Sequence, residues 1–172
     1  AFNTSGGIST LPQSYLGRVQ HLDYKTIRYP GHCDAIHMLK ELGMMSKEAV
    51  ETASGPVVPR DLLFKLLSDK LPKDEPDVVL VRVMVSGLKD KKPVQIIWDC
   101  IDYADQAAGL TAMMRMTAFP ASIVAQMIAR GDITERGVLR QETTVPTKLS
   151  LAELDGRGIR LQMTERAPAH IK

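Results

Sequence analysis

Apolar and polar positions alternate most regularly over residues 77–88. There Val79, Val81, Val83 and Val85 fall on one side, and Val78, Leu80, Arg82, Met84 and Ser86 on the other. A period of two is that of a β-strand. Residues 94–101 answer it, and the polar connection Gly87-Leu88-Lys89-Asp90-Lys91-Lys92-Pro93 predicts a long antiparallel hairpin. Both faces are apolar near the middle, so cover on both sides, from helices or a partner chain, is expected. A shorter alternation over residues 22–29 predicts another strand, closed by Pro30-Gly31.

Helical spacing takes over elsewhere. Cys33, Ile36, His37, Leu39, Lys40 and Leu42 recur at helical intervals until Gly43, a suitable C-cap. A second helix is expected over 59–71, with Pro59 in its first turn and Leu62, Leu63, Leu66 and Leu67 as one apolar stripe. Residues 106–130 are rich in Ala, Met and Leu, but Phe119-Pro120 predicts two helices meeting at the proline, the second ending at Arg130-Gly131-Asp132. Loop to Val145, a brief helix over 149–154 and a last strand over 159–163 complete the reading, after an opening stretch to Gln20 of turns and ordered loop. The fold class is α+β: a mixed, largely antiparallel sheet with a long hairpin, covered by helices, without a Rossmann domain.

Composition narrows the setting. With 172 residues, one domain over 1–172 is expected, able to bury roughly 70% of its unfolded surface. The 44% hydrophobic and 24% charged content is globular. A net charge of +2 gives no nucleic-acid or membrane signature. Two distant cysteines make no disulfide framework, so a reducing cytoplasm is the expected compartment. The first residue is not Met, and the chain reads as cut from something longer.

Several constellations could carry chemistry. Cys33 and His37 share a helix face as zinc ligands often do, but two ligands are not a site; a buried thiol beside an imidazole is the plainer reading, and no metal is expected. A small metal enzyme built on this pair is the weakest functional reading. Asp99, Asp102 and Asp105 read as a solvated strand-to-helix turn with Asp105 as N-cap. Met113, Met114 and Met116 read as core, and Arg157, Arg160 and Arg166 as a solvated face. Consecutive glycines in Thr4-Ser5-Gly6-Gly7 let backbone N–H groups approach a ligand, although Gly-x-Gly-x-x-Gly occurs nowhere in the chain. The run Lys25-Thr26-Ile27-Arg28-Tyr29-Pro30-Gly31-His32 sets two cations and two hydrogen-bonding rings at a sharp turn. Arg28 offers a planar fork for a carboxylate, with Tyr29 and His32 beside it.

Thr4-Ser5-Gly6-Gly7, Thr10-Leu11-Pro12 and the run from Tyr24 to His32 closely resemble the saccharopine dehydrogenase family. So do Val85-Ser86-Gly87, Trp98 through Tyr103, Thr117 through Ser122, and Gly137-Val138-Leu139 with Pro146. The resemblance covers nearly the whole chain and is strongest to the bacterial lysine 6-dehydrogenase branch. It implies that a separate N-terminal Rossmann domain holds NAD or NADP, that this chain binds no cofactor itself, and that it is a truncated C-terminal domain for substrate binding and homodimer formation. The implied reaction oxidises a C–N bond of lysine or a lysine derivative and needs the nucleotide domain. Ser5, Gly6, Gly7, Arg28, Tyr29 and His32 are the expected substrate-binding residues, with no catalytic residue assigned. The alternative is a non-catalytic interaction module that has lost its nucleotide domain.

Overall fold

The structure, a computed structural model, describes residues 7–71 and 75–167. The chain divides into two compact units, Ala1–Lys73 and Asp74–Lys172.

In the first unit, a short helix α1 (Leu11–Tyr15) precedes an irregular extended segment that leads into α2 (His32–Glu41). The strand expected over 22–29 does not form. Among the described residues it lies in no ladder, and neither short strand of this unit pairs with it. A strand needs a neighbour for its N–H and C=O groups, and alternation alone does not supply one. α2 ends as its sequence predicts: Gly43 adopts φ 77°, the Gly43 N–H donates to Lys40 O and the Met44 N–H to Leu39 O, a Schellman closure. The hairpin of β1 (Val50–Thr52) and β2 (Gly55–Val57) is too short to show in the pattern. Thr52 Oγ1 donates to Gly55 O at 2.6 Å across its turn. α3 (Pro59–Lys70) follows, with Pro59 at its start. Leu63 is buried, whereas Leu62 and Leu66 of the expected stripe are exposed.

The second unit is built on β3 (Val78–Lys89) and β4 (Lys92–Tyr103), paired antiparallel along their whole length, with β5 (Leu161–Arg166) on the far side of β4. The hairpin is tighter than its polar connection suggests. Lys89 pairs with Lys92, so only Asp90 and Lys91 turn, both at positive φ (52° and 63°) in a type I′ arrangement.

α4 (Ala112–Arg130) is one helix, not two. Pro120 lies inside it; the lost N–H costs one ladder bond, which the packing of a 19-residue helix outweighs. It begins six residues later than expected, because Asp105 and Leu110 close a small bridge first. Gly131 ends it at φ 82°. After α5 (Gln141–Thr144), α6 (Thr147–Asp155) packs against α4, which also packs on β3 and β4. Ile123, Met127 and Ile133 form the core, with Val124, Val145 and Leu154 against them. Met113 and Met114, expected in the core, point to solvent, since the buried row of α4 runs through Ala112, Arg115, Ile123 and Met127.

The architecture is a mixed α+β fold with two antiparallel sheets, of two and three strands. Helical cover of the hairpin is incomplete: Val81, Val83 and Val85 on one face and Leu80, Met84 and Leu88 on the other are exposed. Among the described residues no helix is long and apolar enough to cross a membrane.

Candidate functional site

The 25–32 run ends in a turn whose geometry the sequence dictates. Pro30 presets its own φ, Gly31 takes φ 81°, which a side chain would strain, and α2 begins at once. The His32 N–H donates to Tyr29 O at 3.1 Å, and the Ala35 N–H to Gly31 O at 3.0 Å. Arg28, Tyr29 and His32 are therefore held together by the chain itself, all exposed, Tyr29 at 87%. They do not stand at a strand end. Lys25, the other cation of the run, is spent on Asp23, which His21 Nε2 also approaches at 3.3 Å; the hydrogen bonds from Lys25 and then His21 hold the Asp23 carboxyl below its usual range. Arg28 is thus the guanidinium of this run left facing solvent, as a carboxylate receptor requires. Gly7 lies in the loop before α1 at φ 98° and is exposed, while Ser5 and Gly6 lie outside the described residues.

Cys33 and His37 are both exposed, so the buried thiol expected at this position is instead a surface one. His37 Nδ1 lies 3.7 Å from Glu41 Oε1. Among the described residues no group of three or more His, Cys, Asp or Glu is arranged to hold a metal ion.

Of Asp99, Asp102 and Asp105, expected in a solvated turn, the first two lie on β4 and are paired with arginines. Asp99 Oδ1 accepts from Arg82 Nε at 2.6 Å and Oδ2 from Arg82 Nη2 at 2.9 Å, which holds the Asp99 carboxyl below its usual range. Asp102, 4% exposed, takes the guanidinium of Arg115 in the same forked manner, Nε at 2.9 Å and Nη2 at 3.1 Å. Arg115 also donates to Arg157 O at 3.2 Å, lies 3.6 Å from Asp105 and stacks 5.4 Å from the Phe119 ring centroid. The forked bonds of this buried pair brace β4 against α4. Nearby, burial and then the charge of Asp102 push the Cys100 thiol up, away from nucleophilic use. Nothing in the spacing of Asp102 and Arg115 marks them as partners; one buried Arg on an otherwise apolar helix row was the available signal.

Asp105 caps a turn, accepting from the Ala108 N–H at 3.0 Å, not α4 as its position suggests. The cap of α4 is Thr111, whose hydroxyl accepts from the Met114 N–H, joined by Asp77, whose carboxylate accepts from the N–H groups of Ala112 at 2.5 Å and Met113 at 2.9 Å. Arg157, expected on a solvated face, is partly buried and reaches Glu153 Oε2 at 2.5 Å and Gln126 Oε1 at 3.1 Å. Arg160 and Arg166 stay at the surface, beside Asp155 and Gln95.

Among the described residues both sheets are antiparallel, without the crevice at the carboxyl ends of parallel strands where a dinucleotide is held, and the Asp77 carboxylate closes the N-terminus of α4. The family model described as the saccharopine dehydrogenase C-terminal domain matches residues 1–159.

Proposed function

The chain belongs to the saccharopine dehydrogenase family as its C-terminal domain, and from that membership we propose that it is the substrate-binding and pairing domain of an NAD(P)-dependent amino-acid dehydrogenase. The match across residues 1–159 carries the reading. The substrate is L-lysine or saccharopine, oxidised at a C–N bond, with the lysine 6-dehydrogenase type preferred. The dinucleotide is held by the nucleotide-binding domain of such an enzyme and supplies the hydride chemistry; this domain's task is to fix the amino acid.

The 28–32 turn suits that task. A free α-carboxylate is planar and bidentate, and Arg28 presents a matching fork with no ion pair to break first among the described residues. Tyr29 and His32, one and four residues on, offer hydrogen bonds to the substrate's polar groups, and the Ser5-Gly6-Gly7 backbone is the further expected contact. Two copies of the domain pair as a homodimer through the β3–β4 hairpin, whose exposed valines, leucine and methionine favour burial.

The test uses the enzyme with its own nucleotide-binding domain, following NADH or NADPH formation with L-lysine and with saccharopine. Turnover of one of them, lost or greatly weakened in Arg28→Ala at unchanged thermal stability, supports the reading. No turnover of either, or kinetics indifferent to Arg28→Ala, overturns it.

A further inference from the structure

Resting on the pairing role proposed above, the hydrogen-bonding pattern of β3 specifies how two copies meet. In an antiparallel pair, alternate residues bond to the neighbour and the others turn their N–H and C=O away. Lys89 and Lys92 flank a two-residue turn, and at the opposite end the Ala104 N–H donates to Asp77 O, so the odd-numbered residues of β3 bond to β4. Val78, Leu80, Arg82, Met84, Ser86 and Leu88 therefore point their backbone groups outward, and among the described residues no strand lies there. The edge strand carries two charges, Arg82 and Lys89, both ion-paired within the chain, but the 78–89 pairing runs without a bulge and β3 contains no proline.

Along β3 both faces are open, Val83 at 50% on one and Leu80 at 70% and Met84 at 59% on the other; on the neighbouring β4 Ile97 is buried, whereas Ile101, beside Leu80, is exposed. A strand added at the edge flanks both rows at once.

We propose that this edge is completed by β3 of a second copy, antiparallel about a two-fold axis at Val83, so that two three-stranded sheets become one of six strands. Opposed residues in that register sum to 166. Val78 then meets Leu88, Leu80 meets Ser86 and Arg82 meets Met84, each twice, which satisfies all six outward residues in each copy. Val81 meets Val85 on the other face. At both ends Asp77 of one copy comes opposite Lys89 of the other; each already has a partner in its own chain, Asp77 at the start of α4 and Lys89 on Glu165 Oε2 at 2.8 Å, so no like charges meet where the ladder closes. Neighbouring registers are worse: an axis at Arg82 sets guanidinium against guanidinium, and an axis at Met84 puts Val78 against the turn residue Asp90. Symmetric antiparallel pairing is isologous and closes at two copies, so the edge is used up and no fibre follows.

Sedimentation of the whole chain and backbone amide exchange test this together. The expected particle is twice the 19.0 kDa of one chain at micromolar concentration, with the Arg82, Met84 and Ser86 amides protected more strongly as concentration rises. Met84→Pro removes an outward N–H and leaves the β3–β4 ladder whole, so it should weaken association more than tenfold, whereas Lys91→Glu in the turn should not. A wild-type chain that is monomeric throughout overturns the edge pairing and the homodimer together, without touching the proposed substrate role. A dimer indifferent to Met84→Pro overturns the edge pairing alone. Should Met84→Pro fail to fold, the wild-type amides decide: outward groups that exchange freely in the dimer, or that are protected equally in the monomer, overturn it.

Discussion

Arg115 and Asp102 are the most demanding residues of the chain, because two full charges are withdrawn from water at a single contact. Such a pair contributes little net stability as a pair, but breaking it is costly, since the survivor stays buried without its counter-charge. Asp102→Ala should therefore destabilise the second unit by about 3–5 kcal/mol, read from urea unfolding followed by the fluorescence of Trp98, the chain's one tryptophan, on the same strand. The double change Asp102→Leu with Arg115→Met should cost less than either single removal. A loss under about 1 kcal/mol for Asp102→Ala would mean the guanidinium finds water and that the pair is not closed. Arg28 stands at the opposite extreme, exposed and unbraced. In the complete enzyme Arg28→Lys should raise KM for the amino acid several-fold with little change in kcat, since Lys keeps the charge but loses the planar fork. Unchanged steady-state kinetics would make Arg28 a turn residue only.

Among the elements, those with strong periodicity and explicit stop signals were legible: α2 and α3 begin and end within a residue or two of their sequence limits, and the β3–β4 hairpin was plain from its alternation. What stayed hidden depended on distant partners. The 22–29 segment has a strand's pattern but no neighbour, Asp77 caps a helix that begins 35 residues later, and Pro120 was tolerated because packing outweighs one lost bond. Likewise the turn at Arg28 could be read from Pro30-Gly31, whereas the Arg115 centre could not, since only the fold brings β4 to α4. Two element-scale expectations follow. Lys91 holds φ 63° without being a glycine, a conformation costing about 1 kcal/mol for a side chain, so Lys91→Gly should raise the melting temperature of the hairpin unit by a few degrees. A lowered melting temperature would argue that the Lys91 side chain has a stabilising role. The Asp77 latch is pH-dependent. Its carboxyl is held below the ordinary aspartate value, chiefly by the N–H of Met113 with that of Ala112 adding, so its contribution is complete above about pH 3.9 and fades as pH falls through the lower folded value. Asp77→Asn should flatten that acid limb of the stability curve; an identical acid limb in both proteins would show that Asp77 does not hold α4.

At the scale of the whole molecule, the proposed division of labour between this chain and a nucleotide-binding domain makes one expectation: the chain alone binds neither NAD nor NADP. A dinucleotide is held where a glycine-rich turn passes from a parallel strand to a helix whose first N–H groups face the pyrophosphate. Each requirement fails here for its own reason. The only Gly-x-Gly, at Gly156 and Gly158, follows a helix instead of a strand and is completed by Leu161 where the fingerprint has glycine. Three of the helix starts are compromised as well: α2 carries Asp34 in its first turn, α3 opens on Pro59, which has no N–H, with Asp61 behind it, and α4 is filled by Asp77. Adding a negative ligand at any of these meets a carboxylate already in place, and the cost falls on the charge that would have to move. Calorimetric titration of the chain with each dinucleotide should give only heats of dilution. Asp77→Asn, which removes the negative charge from the start of α4, should not create binding either, because the glycine turn and the parallel crevice are still missing. Micromolar affinity for NAD or NADP in the unaltered chain would overturn this division and require a nucleotide site of another design.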